Sequence, residues 1–274
     1  MKKTLLLFAL VAVIIFSCKK DYNYYTFPRV HRDNTPVSQV YSYLSTDIGD
    51  AGDTFKIAVH TVNAGDTAYL LGSAAGGQTW DYDSIPLSTT IDTTYLLNPA
   101  TNPDYATFPT SNLLMSQSSG TYMFLNKSTQ QINLIGISLN MYGITVKDTL
   151  GNPWTMFKFP MLLGANYVDS GSASVDTQIV IGFPIDAVIN IKYKVNSTID
   201  AGGTVKTPTG TYQCIRDKRI EYQDMDVIVS GFSIYSTKDT IYKYNYWSKS
   251  KKWNVIEIET DKNDVVMSIG YLLE

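Results

Sequence analysis

From about Thr54 onward, polar and apolar residues alternate in short runs broken by turn formers, and no other feature limits the fold as much. Asn190-Ile191-Lys192-Tyr193-Lys194-Val195 has the two-residue period of a strand with one face on a core and one on water. Tyr242, Tyr244 and Tyr246 alternate with Lys243 and Asn245 in the same way, and Ile256 and Ile258 oppose Glu257 and Glu259. Tyr122-Met123-Phe124-Leu125 and Ile179-Val180-Ile181 are continuous apolar runs, expected for strands covered on both faces. Between these segments lie Gly76-Gly77, Asn98-Pro99, Asn102-Pro103, Gly151-Asn152-Pro153, Ala201-Gly202-Gly203 and Thr207-Pro208, each expected to turn the chain. The pattern predicts an all-β fold with very little helix: antiparallel sheets forming a sandwich or an open barrel, in one or two units.

One stretch has a helical spacing. Thr35 stands as a capping residue and Pro36 as the first helical position, with apolar residues following at Val37, Val40, Tyr41 and Leu44. A short helix is expected there. Ala51-Gly52-Asp53-Thr54-Phe55 is echoed at Ala64-Gly65-Asp66-Thr67-Ala68-Tyr69, which amounts to a hairpin's worth of repetition rather than a solenoid. The organisation read from these signals is a signal peptide over 1–17, a lipidated N-terminus and tether over 18–44, and β units over 45–150 and 151–274. A continuous sheet crossing residue 151 stays open.

The N-terminus carries the export reading. Lys2 and Lys3 precede an apolar run from Leu5 to Phe16, then Ser17 and Cys18. As a helix, such a run would span roughly 18 Å, against about 30 Å of bilayer hydrocarbon, which favours a cleaved signal over a membrane span. Ile15-Phe16-Ser17-Cys18 resembles the lipobox of bacterial lipoproteins, with Phe16 bulkier than the residue usual at its position. The resemblance implies a diacylglyceryl group on the Cys18 sulfur and cleavage just before it. Lys19, Lys20 and Asp21 are similar to the surface-export signals of some Gram-negative lipoproteins, though with a single acid. The expected location is therefore the outer membrane, with either face open.

Charge and motifs remove several functions from consideration. The formal net charge is −3, and without Lys2 and Lys3 the chain has 20 basic against 25 acidic residues. No basic stripe recurs, so nucleic acid is not an expected partner. The cluster Lys249, Lys251 and Lys252 beside Trp253 reads as a turn between strands. With Cys18 lipidated, Cys214 has no disulfide partner, and in its strand-like run it is expected to be a small buried residue. His31 and His60 are the only histidines, and nothing has zinc, Ser-His-Asp, Walker or dinucleotide spacing, so no catalytic residue, metal or cofactor is assigned. The acid pairs Asp81 and Asp83, Asp224 and Asp226, and Asp261 and Asp264 read as solvated turn residues before calcium ligands or glycosidase carboxylates. Trp80-Asp81-Tyr82 reads as a packed aromatic strand edge rather than a ligand platform.

Longer phrases resemble a group of uncharacterised secreted and lipid-anchored β-rich bacterial proteins. They are Ala51–Phe55, Gly76–Tyr82, Tyr105–Leu113, and Gly203–Tyr212 leading into Cys214, Ile215 and Arg216. The resemblance spans roughly residues 45 to 260 and implies an exported β fold without assigning any activity. In Gly203–Tyr212, Gly and Pro are expected to shape a hairpin, with a positive φ at Gly210. The 20 tyrosines suit sheet packing, and two or three exposed on one concave surface would stack on sugars. The expectation is a lipid-anchored cell-envelope protein that is a non-enzymatic binding or interaction module for a glycan or an envelope protein. The alternatives are an apolar-ligand carrier with an open β half-barrel and an envelope hydrolase using paired carboxylates.

Overall fold

The computed structural model describes residues 41–63, 66, 69–117, 121–141, 144–180 and 184–273. The export segment, Cys18, His31, most of the second copy of the echo and the first part of the expected helix lie outside these residues.

Among the described residues fifteen strands carry the fold: β1 (Ser42–Tyr43), β2 (Thr54–Thr61), β3 (Gln78–Asp81), β4 (Ile91–Leu97) and β5 (Leu113–Gln117); β6 (Thr121–Lys127), β7 (Gln131–Met141), β8 (Ile144–Lys158), β9 (Met161–Leu162) and β10 (Asn166–Val180); then β11 (Pro184–Thr207), β12 (Gly210–Val229), β13 (Phe232–Ser248), β14 (Trp253–Thr260) and β15 (Val266–Leu272). Helical structure among the described residues is confined to 3-10 turns at Ser45–Asp47, Pro99–Thr101 and Pro103–Thr107. Asn98 and Asn102 cap the last two by accepting backbone N–H groups, so both Asn-Pro signals turn the chain as expected.

One 13-stranded sheet runs in the order β10-β11-β12-β13-β14-β15-β2-β4-β5-β6-β7-β8, with β3 added in parallel to β11. β1 and β9 form a separate antiparallel pair. The long sheet is rolled. Phe157 of β8, at one end of the order, meets Trp247 of β13 edge-to-face at 5.1 Å, and Trp247 meets Trp253 at 5.7 Å. Phe55 stacks on Trp253 at 4.5 Å, so aromatic rings fill the base of the roll. The roll is not closed into a barrel: β8 and β10 share no backbone ladder among the described residues.

Several local expectations hold. Leu125 faces the main core while Phe124 packs with Phe108 and Leu114 on the opposite side, so the Tyr122–Leu125 run is covered on both faces. Of the Ile179–Ile181 run, Ile179 and Val180 are extended in β10, and Ile181 lies outside the described residues. Lys249–Lys252 joins β13 to β14, and Thr207 pairs with Gly210 (φ 150°) across the β11–β12 hairpin.

Others are corrected. The expected helix does not include Tyr41–Leu44. Ser42 and Tyr43 are extended and pair with β9, because Tyr43 is buried against Trp247 and Tyr41 lies over Gly202. Burial of two aromatic rings outweighs helical spacing, and these residues belong to the folded body rather than to a tether. Gly151-Asn152-Pro153 is not a turn but part of a bulge in β8, where the register jumps from Leu134↔Trp154 to Gly136↔Thr149. Strand β8 therefore runs through residue 151. Ala201-Gly202-Gly203 lies within β11, where Gly203 admits β3: a Cβ there would sit 1.9 Å from the Gln78 carbonyl oxygen.

Candidate functional site

The place where the roll fails to close is also where its polar groups converge. At the lower part of this seam, side chains stand in for the missing ladder. A bulge leaves Met156 without a partner on β7, between the pairs Asn133↔Thr155 and Ile132↔Phe157. The Thr155 N–H donates to the Asp169 carboxylate of β10 at 2.5 Å. The Met156 carbonyl accepts from the Tyr167 hydroxyl at 2.6 Å and from Nη1 of Arg219, two strands further on, at 3.0 Å. Trp154 stacks on Tyr193 with ring centroids 5.0 Å apart, and it lies so close over Gly171 that a Cβ there would fall 1.9 Å from the indole nitrogen.

Arg219 belongs to a charged row on the inner face of the roll. Ser197, Arg219 and Lys243 are successive cross-strand partners, Lys243 pairs in turn with Glu259, and Asp217 and Glu221 flank Arg219 on β12. Arg219 lies 3.2 Å from Glu221 and 3.9 Å from Asp217. Lys243 lies 3.6 Å from Glu257. Asp217 is 1% exposed, and burial pushes its carboxyl up to about 6 against the opposing pull of Arg219 and the Ser197 hydroxyl, which donates to it at 2.6 Å. Burial also raises Glu259, while Glu257, outweighing burial, holds the Lys243 ammonium above the ordinary lysine range.

Above these side-chain links, which staple β8 to β10 and β12, the seam opens into a cavity of about 560 Å³. Asp148, Thr149 and Gly151 of β8 form one side, and Ser172, Ala173 and Ser174 of β10 the other, with Asn190, Ile191, Lys192, Asp224 and Asp226 completing it. Ser174 donates to the Asn190 side-chain carbonyl at 2.8 Å, and Asp224 lies 3.5 Å from Lys238. Burial, then Asp176, raises the Asp148 carboxyl above its ordinary range. The lining sets hydroxyls, an amide, an ammonium and carboxylates at strand spacing beside Ala173 and Ile191, and its polar groups can hydrogen-bond a ligand.

A second polar centre is a structural clamp on the outside of the roll. Arg216 is 2% exposed and grips Asp200 through Nε at 2.8 Å and Nη2 at 2.9 Å. It also donates to the Leu71 and Ser73 carbonyls and lies over Trp80 and Tyr244, fixing the segment before β3 against the sheet.

The residues singled out by sequence are dispersed. Cys214 is buried and free, its thiol pushed up to about 12 by burial, in keeping with a packing role. Trp80 and Tyr82 are core residues around Tyr246, as expected of a packed strand edge. His60 pairs with Asp66 at 3.1 Å. Asp81 and Asp83 lie at the end of β3 and in the turn after it, and Asp261 and Asp264 lie in the β14–β15 turn. Asp224 and Asp226 are not turn residues: they are alternate residues of β12 and line the seam cavity. Among the described tyrosines only Tyr95 and Tyr222 are exposed, on β4 and β12, so they make no aromatic row. Sequence reading missed Asp217, Arg219 and Glu221. Their signal was present as charge at alternate positions of one strand, but that pattern matches a solvated face until the sheet is known to roll.

The fold and site define an all-β open roll with a stapled seam and a polar groove. No protein-family model matches the chain, and no curated protein matches it. Among solved structures, it is similar to a protein from Bacteroides fragilis described as inferred to be exported, with a YmcC-like fold. The two are 12% identical over 85% of this chain and 98% of that chain, with a TM-score of 0.31. It is a distant structural neighbour, and a likeness of this size carries no weight for function.

Proposed function

We propose that this protein is a lipid-anchored cell-envelope protein at the outer membrane, held through Cys18, and that it is a non-enzymatic module binding a glycan in the seam groove. The observation that carries the reading is the groove itself: a cavity of about 560 Å³ lined by Ser, Thr, Asn, Lys and Asp side chains from four strands. Hydroxyls, an amide and carboxylates on rigid strands match the donors and acceptors of a sugar chain. The carrier alternative draws no support from the base of the roll, which aromatic rings fill. Lys2, Lys3, the apolar run and Ile15–Cys18 support export and lipidation.

Calorimetric titration of residues 41–274 with peptidoglycan fragments and surface-polysaccharide oligosaccharides tests the ligand. Binding weakened at least tenfold by Asn190→Ala with Asp224→Ala is the expected result. Saturable binding that ignores both substitutions would remove the groove from the proposal, and no binding to any of these sugars would remove the glycan. For the anchor, Cys18→Ala should abolish acyl labelling and membrane fractionation, and a variant that still labels would refute the assignment.

A further inference from the structure

Below the links at Thr155 and Met156 the seam parts a second time. The end of β8 and the start of β9, residues 158–161, stand on one side, and the turn into β10, residues 165–167, on the other, with Ser197 and Ile199 of β11 between them. The space is a crevice of about 150 Å³. Phe159, Met161, Ser197 and Ile199 are buried, so they form its floor, and Lys158 is exposed at its mouth. Tyr167, paired with Ser197 across the β10–β11 ladder, is half-buried between the two.

Both hydroxyls that line the crevice have already committed their hydrogens. Ser197 donates to Asp217 at 2.6 Å, and Tyr167 donates to the Met156 carbonyl at 2.6 Å. A hydroxyl has a single hydrogen and two lone pairs, so each oxygen has only an acceptor left to offer. The rest of the floor is apolar. A buried water makes about three hydrogen bonds, and the side chains of Phe159, Met161 and Ile199 supply none, so water is poorly held there.

We propose that this crevice binds a neutral, ring-sized molecule with a hydroxyl at one end, of the phenol class. The size fits, since an apolar cavity of about 150 Å³ holds benzene. The ring lies against Phe159, Met161 and Ile199, and its O–H donates to the Tyr167 oxygen. An acid is disfavoured, because a carboxylate would set its lone pairs against those of the two hydroxyls. The nearby charges do not reverse this choice. Asp217 behind Ser197 is offset by Arg219 at 3.9 Å, which shares the Met156 carbonyl with Tyr167. Lys158 stands at the exposed mouth, where water and salt screen it. The crevice lies across the staple from the groove, and the proposal does not rest on the glycan reading.

Titrating residues 41–274, which contain every strand described, with phenol, toluene and benzoate tests it, read by nitrogen–proton correlation spectra. Phenol should saturate with a Kd of about a millimolar, within reach of about seven non-hydrogen atoms. The shifted amides should centre on Ala165, Ser197 and Ile199. Toluene should bind about fivefold more weakly for want of the hydrogen bond, and benzoate more weakly still. Ala165→Leu, which fills the crevice, should abolish phenol binding with circular dichroism unchanged. Tyr167→Phe should bring phenol down to the affinity of toluene and leave toluene as it was, which keeps the test decisive where the leucine disturbs folding. No saturable shift with phenol means a crevice holding water only and overturns the proposal. Equal affinity for phenol and toluene in the unsubstituted chain overturns it too, as does a preference for phenol that survives Tyr167→Phe, or shifts centred on Asp148 and Ser172 of the groove.

Discussion

Replacing Arg219 with Met tests whether side chains truly substitute for the missing ladder. Arg219 is 6% exposed, and Asp217, one of the carboxylates beside it, is 1% exposed. The substitution keeps much of the stem's packing but removes the charge between Asp217 and Glu221 and one of two donors to the Met156 carbonyl. Tyr167 still donates to that carbonyl, so the larger cost falls on Asp217, left with the Ser197 hydroxyl. Removing one partner of a buried ion pair costs about 3–5 kcal/mol. Asp217 already has its carboxyl raised to about 6, so proton uptake relieves part of the loss and sets it near the lower end of that range at neutral pH. At roughly 2–4 °C per kcal/mol for a domain of this size, Tm should fall by about 6–12 °C. Urea unfolding at pH 7.5 and pH 5 is the assay, with the deficit smaller at pH 5, where Asp217 is largely protonated in the native state. Adding Asp217→Asn should recover at least half of the loss, because the two residues share one interaction. A deficit below about 1 kcal/mol, or one equal at both pH values, would refute the reasoning.

Two further outcomes follow from named contacts. Burial raises Asp217 from an ordinary carboxylate value to about 6, so the native state holds that proton more tightly than the unfolded chain. The stability it contributes is full below about pH 4 and lost as pH rises through about 6, some 3 kcal/mol at 1.36 kcal/mol per pKa unit; Asp217→Asn should flatten that part of a denaturation-versus-pH curve, and an unchanged curve would count against it. Gly203→Ala should destabilise by about 1–3 kcal/mol, the usual cost of overpacking. Its Cβ would fall 1.9 Å from the Gln78 carbonyl oxygen, so faster proteolysis around β3 should accompany the loss, and a neutral substitution would mean the strands part freely.

Much of the architecture was legible because strand period and turn chemistry are local. Alternation in 190–195 and 242–246, the lysine turn before Trp253 and the hairpin at Gly210 need only neighbouring residues to specify them. The failures share a cause. Gly151-Asn152-Pro153 and Ala201-Gly202-Gly203 have the composition of turns, yet one is a bulge and the other makes room for a crossing strand. Glycine answers both needs, and only the partner strand distinguishes them. Tyr41–Leu44 has helical spacing but lies where aromatic burial is available, and that burial depends on Trp247, some two hundred residues away. The charged row was hidden for a different reason. Glu257 and Glu259 do oppose Ile256 and Ile258, but their face turns toward the inside of the roll, where Lys243 meets them.

An open sheet with two long edges invites pairing with other chains, so its persistence needs a cause. Strand β8 supplies one: the bulge at Met156, the longer bulge at 150–153 and Pro153 each interrupt the regular spacing that a ladder to β10 would need. Arg219, Tyr167 and Asp169 then satisfy the backbone groups exposed at the lower seam, holding the two edges close there. Above them, among the described residues, no side-chain hydrogen bond joins Thr149 to Ser172 or Ser174, and the groove lies between them. The staple and the groove are therefore parts of one seam, and a ligand bridging β8 and β10 would take over the role of the absent ladder. Such a ligand must stabilise the fold, by about 2.7 kcal/mol at a hundred times its Kd. The gain should be retained in Arg219→Met if the groove holds its shape without the staple, and reduced if the staple sets that shape.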